Sequence, residues 1–144
     1  MTQLSKYFSL PELVVSQSAA RRGMKNIPFG KQLDNLRSTA EKMDAIREML
    51  GKPVLVSSGY RNAEVNALVG GSKTSAHLQG LAVDFTCPGY GNPLAVAKAV
   101  LAMGIEFDQL IHEYGAWVHI GFAEPGKPSR KQTLTINKRG TLAG

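Results

Sequence analysis

Cysteine is almost missing from this chain, and Cys87 is the only one. A single thiol excludes an internal disulfide and any structural zinc site built from several thiolates, so a bound metal would have to be held by histidines and carboxylates. Long apolar runs are missing as well, and none approaches the roughly 20 residues that a membrane-spanning helix needs. The first residues, from Met1 to Ser9, show no basic stretch followed by an apolar one. No secretory signal is therefore read, and synthesis in the cytoplasm is expected. Aromatic residues make up only 7% of the chain and do not gather among the basic ones, which argues against a stacking platform for single-stranded nucleic acid.

What is present fits one soluble domain over residues 1–144, expected to be a monomer, with 123–144 as a basic C-terminal extension of it. The net charge of +6 and pI near 9.6 favour polyanionic surroundings such as nucleic acid, anionic membrane surfaces or bacterial wall polymers. Much of the excess lies at Arg21, Arg22, Lys25 and in the tail at Lys127, Arg130, Lys131, Lys138 and Arg139. No specific nucleic-acid partner is expected from that scatter.

Local patterns place the elements. Ser9, Pro11 and Glu12 form a helix start, with Ser9 as cap and Glu12 as its capping-box partner, and one helix is expected from Leu10 to Arg22. Apolar residues at Leu33, Leu36, Ala40, Met43, Ile46 and Leu50 recur at three- and four-residue steps, which predicts a long amphipathic helix over 31–50. A short buried strand follows within Pro53 to Tyr60, then a helix capped by Asn62, a strand over Leu81–Thr86, and a helix opened by Asn92 and Pro93. The runs Gln109–Tyr114 and Trp117–Phe122 read as a hairpin, and Gln132–Asn137 reads as an edge strand. The expected fold is α+β, with helices packed on a small antiparallel sheet.

The chemistry concentrates on a few residues. His77 and Asp84 stand seven apart, and alternation in Trp117-Val118-His119-Ile120-Gly121-Phe122 sets His119 on the face opposite Val118 and Ile120. A zinc held by His77, Asp84 and His119 would have three protein ligands and one open position, the arrangement of a catalytic site. A proton carrier is also required, and His112 and Glu113 are the local candidates. With Tyr114-Gly115-Ala116 as a three-residue loop, Glu113 lies on the His119 face; with Gly115-Ala116 alone as the loop, His112 does. Glutamate is the usual base in zinc peptidase chemistry, which favours Glu113. Arg61 emerges at the end of the first strand beside Ser57, Ser58 and Tyr60, where its guanidinium could grip a carboxylate or a developing oxyanion.

Ser57-Ser58-Gly59-Tyr60-Arg61, Asn66, Gly70-Gly71-Ser72, the run Ser75-x-His77-x-x-Gly80-x-Ala82-x-Asp84, and Trp117-x-His119 resemble the M15 zinc peptidases. The likeness is to their small bacterial and phage-encoded D-Ala-D-Ala carboxypeptidase-like group, and Tyr7-Phe8-Ser9-x-x-Glu12 and Asn26-x-Pro28 are similar to its N-terminal segment. The resemblance implies a Hedgehog/D-Ala-D-Ala peptidase-like fold and one catalytic zinc on His77, Asp84 and His119. It also implies a substrate role for Arg61 and hydrolysis of peptidoglycan stem or cross-bridge peptides, often as an endolysin. Ser58, Tyr60, Ser75 and Trp117 are then expected to line the substrate cleft, with Glu113 and Arg61 catalytic. One position departs: several relatives carry the catalytic glutamate three residues before the last zinc histidine, where this chain has Ala116. A non-catalytic wall-binding or virion structural domain on the same fold is the competing expectation. Either would act at the cell wall after release from the cytoplasm, or as part of a virion.

Overall fold

The computed structural model describes residues 2–137 and 139–143. Two short helices open it, α1 (Leu10–Leu13) and α2 (Gln17–Arg21), followed by the long α3 (Gly30–Leu50). Strand β1 (Leu55–Ser58) leads to α4 (Ala63–Leu68), a single 3-10 turn at Ala76–Gln79, and β2 (Ala82–Thr86). Helix α5 (Pro93–Ala102) precedes the hairpin of β3 (Gln109–Glu113) and β4 (Trp117–Gly121), and β5 (Gln132–Asn137) and β6 (Gly140–Ala143) complete the chain.

Together the strands make one six-stranded sheet in the order β1-β2-β4-β3-β5-β6. The α+β architecture expected from the sequence is present, but the sheet is mixed rather than antiparallel, because β5 runs parallel to β3. A parallel neighbour needs a crossover rather than a tight turn, and residues 122–131 supply it. β5 is thereby an inner strand, and β6 takes the edge position that had been expected of Gln132–Asn137.

The single helix expected over 10–22 is two. Both capping devices read from the sequence form at Ser9, which accepts from the Glu12 amide while Glu12 accepts from the Ser9 amide. The β-branched pair Val14-Val15 then interrupts the helix, and Ser16 starts it again by accepting from the Ala19 amide at 3.2 Å.

One sheet face is the core. Leu36, Ala40, Met43 and Ile46 of α3 and Val96 and Val100 of α5 are fully buried, in one cluster with Val83, Phe85, Val118 and Ile120. Each of these side chains other than Ala40 contributes about 1.5–3 kcal/mol through burial, which fixes the sheet against its helices. The alternating residues Asp84 and His119 consequently project from the opposite face. α3 also sets the turn that carries His77: Asn35 Nδ2 donates to Gln79 O at 2.9 Å, and Thr39 Oγ1 donates to Gly80 O at 2.7 Å. Gly80 has φ +73°, and a Cβ there would come within 2.6 Å of the Gln32 carbonyl oxygen, so the turn can pack on α3 only with glycine at this point.

Candidate metal centre

Strand pairing brings the centre together. Asp84 lies opposite His119 across β2 and β4, and opposite Ser58 across β1 and β2. His77 arrives from the 3-10 turn, whose cap Ser75 accepts from the His77 amide at 3.2 Å. The three residues are nearly inaccessible, at 2% for His77, 7% for Asp84 and 9% for His119. His77 Nε2 lies 3.2 Å and His119 Nδ1 2.8 Å from the same oxygen, Asp84 Oδ1.

The hydrogen-bond inventory of His77 tests whether this set suits a cation. Its Nδ1 is 2.7 Å from Gly59 O, which can only accept, so Nδ1 carries the hydrogen. Burial pushes the His77 pKa down, with Asp84 opposing only in part, and so favours the neutral ring. Burial by itself would raise the Asp84 carboxyl. The surrounding imidazoles, His119 foremost, outweigh it and hold the group well below the usual carboxylate range. A neutral Nε2 lone pair therefore faces an ionised carboxylate oxygen. Two acceptors in contact call for a cation between them, and one donor atom from each of His77, Asp84 and His119 lies within 4.8 Å of the others.

Around this set stands a second layer of polar contacts. Arg61 Nη2 lies 3.5 Å from Asp84 Oδ2, while its Nε donates to Ser58 Oγ at 3.1 Å and its Nη1 to Asn66 Oδ1 at 3.2 Å. Asn66 Nδ2 in turn donates to Ser72 O at 2.9 Å, anchoring the loop before the 3-10 turn. A Cβ on Gly71 would overlap the Asn66 side-chain oxygen and stand 2.9 Å from Arg61 Nη1, so that glycine leaves room for the arginine. Burial lowers the Arg61 pKa, and the charges of Asp84 and Glu113 oppose the shift. Asn26 ties the N-terminal segment to the same region: its Nδ2 donates to Tyr60 O at 2.7 Å and its Oδ1 accepts from the Asn62 amide at 2.8 Å.

The hairpin has the three-residue loop Tyr114-Gly115-Ala116, with Glu113 opposite Trp117 and Ile111 opposite His119. Glu113 thus shares the face of His119, and His112 takes the other, against α5. Burial raises the Glu113 pKa and the charge of Asp84 adds to it, while His119, Trp117 and Arg61 pull it back only in part. The Trp117 indole Nε1 is buried without a hydrogen-bond partner among the described residues.

A cleft of about 470 Å³ lies over the centre and is lined by Arg61, Ser75, His77, Asp84, Glu113 and His119 together. Ser58 lies behind Arg61 and faces a neighbouring groove. Tyr60, expected at the cleft, is 6% exposed and belongs to the hydrophobic core; it lies past the end of β1, where its amide donates to Leu13 O at 2.8 Å. Trp117 does not line the cleft either; it stands half-buried beside the hairpin loop with its ring centroid 5.6 Å from that of Tyr114. Thr74, Asp108, Gln109, Ile111 and Arg130 also line it, and the sequence had not singled them out for it. For Gln109 and Ile111 the signal was there, since they alternate with Glu113 on β3.

The sequence matches the family model for peptidase M15 over residues 6–121. The chain belongs to the peptidase M15 family. No curated protein matches the sequence significantly. The M15 match spans every element from α1 to β4, including each residue that converges on Asp84, and ends before the crossover and β5. Membership makes the chain one of a peptidase family, with a peptide as its class of substrate. Among the described residues, no helix is long and apolar enough to cross a membrane.

Proposed function

We propose that this M15 peptidase is a zinc-dependent enzyme that hydrolyses peptide bonds in the stem or cross-bridge peptides of bacterial peptidoglycan, in the manner of a phage-type endolysin. The observation that carries the reading is the convergence of His77 Nε2 and His119 Nδ1 on one oxygen of an ionised Asp84, in a cleft that also holds Glu113 and Arg61. His77, Asp84 and His119 would hold one zinc ion. When bound, zinc polarises the carbonyl under attack and makes water a competent nucleophile near neutral pH.

The other groups divide the remaining work. Glu113, half-buried and with a raised pKa, is the group that takes a proton from water and returns it to the leaving amine. It fills from the far side of the hairpin loop the role that Ala116 cannot. Arg61 holds a substrate carboxylate or the developing oxyanion, and its bonds to Ser58 and Asn66 fix the guanidinium in advance. Ser75 sets the turn that presents His77. The wall as substrate is supported by the resemblance of the motifs and by the net charge of +6, which suits an anionic polymer. Its place of action would be the wall, reached after release from the cytoplasm or as part of a virion.

Dialysis against a chelator should abolish release of new amino and carboxyl termini from purified walls, and added zinc should restore it. Unchanged cleavage by the metal-free protein would sink the proposal. Binding to walls with no new termini at any zinc concentration would assign the fold to a non-catalytic wall-binding domain instead. Mass spectrometry of the released fragments identifies the bond that is cut.

A further inference from the structure

Beyond the centre, the cleft continues into a second groove of about 400 Å³, and the two share Thr74, Ala76, Asp108 and Arg130. Arg130 lies outside the family match, which ends at residue 121. It is brought to the cleft by the crossover and by the parallel pairing of β5 with β3, in which the Lys131 amide donates to Phe107 O and the Gln132 amide to Asp108 O. Between Arg130 and β5 the backbone passes through a left-handed conformation at Lys131, φ 52°. A lysine is unfavourable there, and this sharp turn separates the start of β5 from the arginine on the cleft wall.

The hydrogen bonds of this pair decide what it can recognise. Asp108 Oδ1 accepts from the Arg130 amide at 3.2 Å and from Nε at 2.9 Å, and Oδ2 accepts from Nη2 at 2.7 Å. The carboxylate is thereby occupied on both oxygens and holds the guanidinium in a fixed plane. A guanidinium has five N–H donors, and only the Nε and one Nη2 hydrogen are taken. The Nη1 edge has no partner among the described residues, and the side chain is 59% exposed. What remains unsatisfied at this point of the cleft is a planar pair of donors, the geometry that a carboxylate accepts in two parallel bonds.

We propose that Arg130, held by Asp108, is a carboxylate-recognising subsite that selects peptides bearing a free carboxylate away from the bond that is cut. This rests on the reading of the cleft as a site for wall peptides. It separates the duties of two arginines: Arg61 acts beside the metal centre, and Arg130 reads a second anionic group farther along the same cleft. Arg130 acts by binding and takes no part in the chemical step.

The test uses a matched pair of synthetic stem tetrapeptides, one with the free α-carboxylate of its D-glutamate and one with that group as the carboxamide. Affinities for the zinc-loaded full chain are measured by calorimetry in the Glu113→Gln background, and cleavage of both peptides is followed in the parent protein. The carboxylate peptide should bind roughly 5- to 20-fold tighter, the range for a charge-assisted pair in partial contact with solvent. Arg130→Gln should bring the two peptides to equal affinity, and Arg130→Lys, which keeps the charge but loses the fork, should retain only part of the preference. Unchanged melting temperatures would show that the fold is intact. Equal affinities in the Glu113→Gln protein, failure of both peptides to bind it, or a preference that survives the added Arg130→Gln would overturn the subsite. Cleavage of neither peptide, with an Arg130-dependent binding preference, would remove the catalytic reading and leave the subsite standing.

Discussion

Strands β2 and β4, in the middle of the sheet, and strands β5 and β6, at its far side, face different demands. β2 is buried along almost its whole length, whereas every residue of β6 is exposed. On β2 and β4 one set of alternating side chains fills the core and the other carries Asp84 and His119 of the candidate metal centre, so neither set is free to vary without cost. On β6 no side chain is enclosed, and what the strand supplies is mainly backbone pairing to β5. The family match divides the molecule at the same place, ending at the last residue of β4. The candidate metal ligands on the inner strands lie inside the match, and the crossover and outer strands lie outside it.

The sharpest way to break this comparison is at Asp84. Asp84→Ala should eliminate zinc binding and reduce cleavage to background. It should also lower stability by about 3–5 kcal/mol, because Arg61 would keep a largely buried charge without its carboxylate partner. Zinc titration and thermal unfolding of the variant check both effects, and retained zinc affinity would displace Asp84 from the centre. Next in size is Glu113→Gln, which should preserve zinc affinity while lowering kcat by roughly 10²- to 10⁴-fold. Since the Glu113 pKa is raised and the base must be ionised, the acid limb of the pH-rate profile should lie above the ordinary glutamate range. Parent-like turnover of this variant would leave the base unassigned.

How far the sequence reached follows the same division. Helix α3, the caps at Ser9, Asn62 and Asn92, and the strands of the hairpin were legible, because each depends on local periodicity or on a residue bonding to its own neighbours. His77, Asp84 and His119 were legible as a set because three potential ligands in recognisable spacing are rare in a chain with three histidines. Tyr60 was misplaced because it lies beyond β1, in a connection held by its amide to Leu13 O across 47 residues, a contact that local sequence does not specify. Arg130 was read only as part of a basic tail. Its position comes from a parallel pairing between residues 23 apart, Gln109 and Gln132, and no turn signal announces such a pairing. The split of the first helix could have been anticipated from Val14-Val15-Ser16, where a β-branched pair meets a second cap.

Smaller effects test the layer around the centre. Gly71→Ala should displace the Asn66 side chain and with it one anchor of Arg61, lowering kcat/KM by about 10-fold with zinc affinity unchanged. A change in zinc affinity instead would mean that the loop supports the ligands rather than the arginine. Acidity offers a test without mutation. The folded pKa of His77 is lowered from its usual value of about 6.5. Below that pH the unfolded chain binds a proton that the folded metal-free chain does not, so stability should fall as pH drops from about 7.5 to 5. Asp84, also lowered, adds loss in the same direction as pH falls below about 4. Melting temperatures in chelator across this range should decline steadily, and a flat profile would show that His77 titrates alike in both states.

The smallest expected effect belongs to the outer edge. Leu142 is 58% exposed on β6, and its partner across the strand pair is Thr135. Leu142→Ser removes an apolar side chain that is mostly in water already, so stability should change by no more than about 0.5 kcal/mol and the melting temperature by about 2 °C. Zinc affinity and cleavage should stay at parent values, since no residue of β6 lines the cleft. The measurement is most informative beside Arg130→Gln, because both substitutions fall outside the family match. A loss of the carboxylate preference in Arg130→Gln alone would place the specificity of the outer region in one side chain at the crossover. An equal loss in Leu142→Ser would mean that β6 holds β5 in register, and that the subsite depends on the whole outer pair.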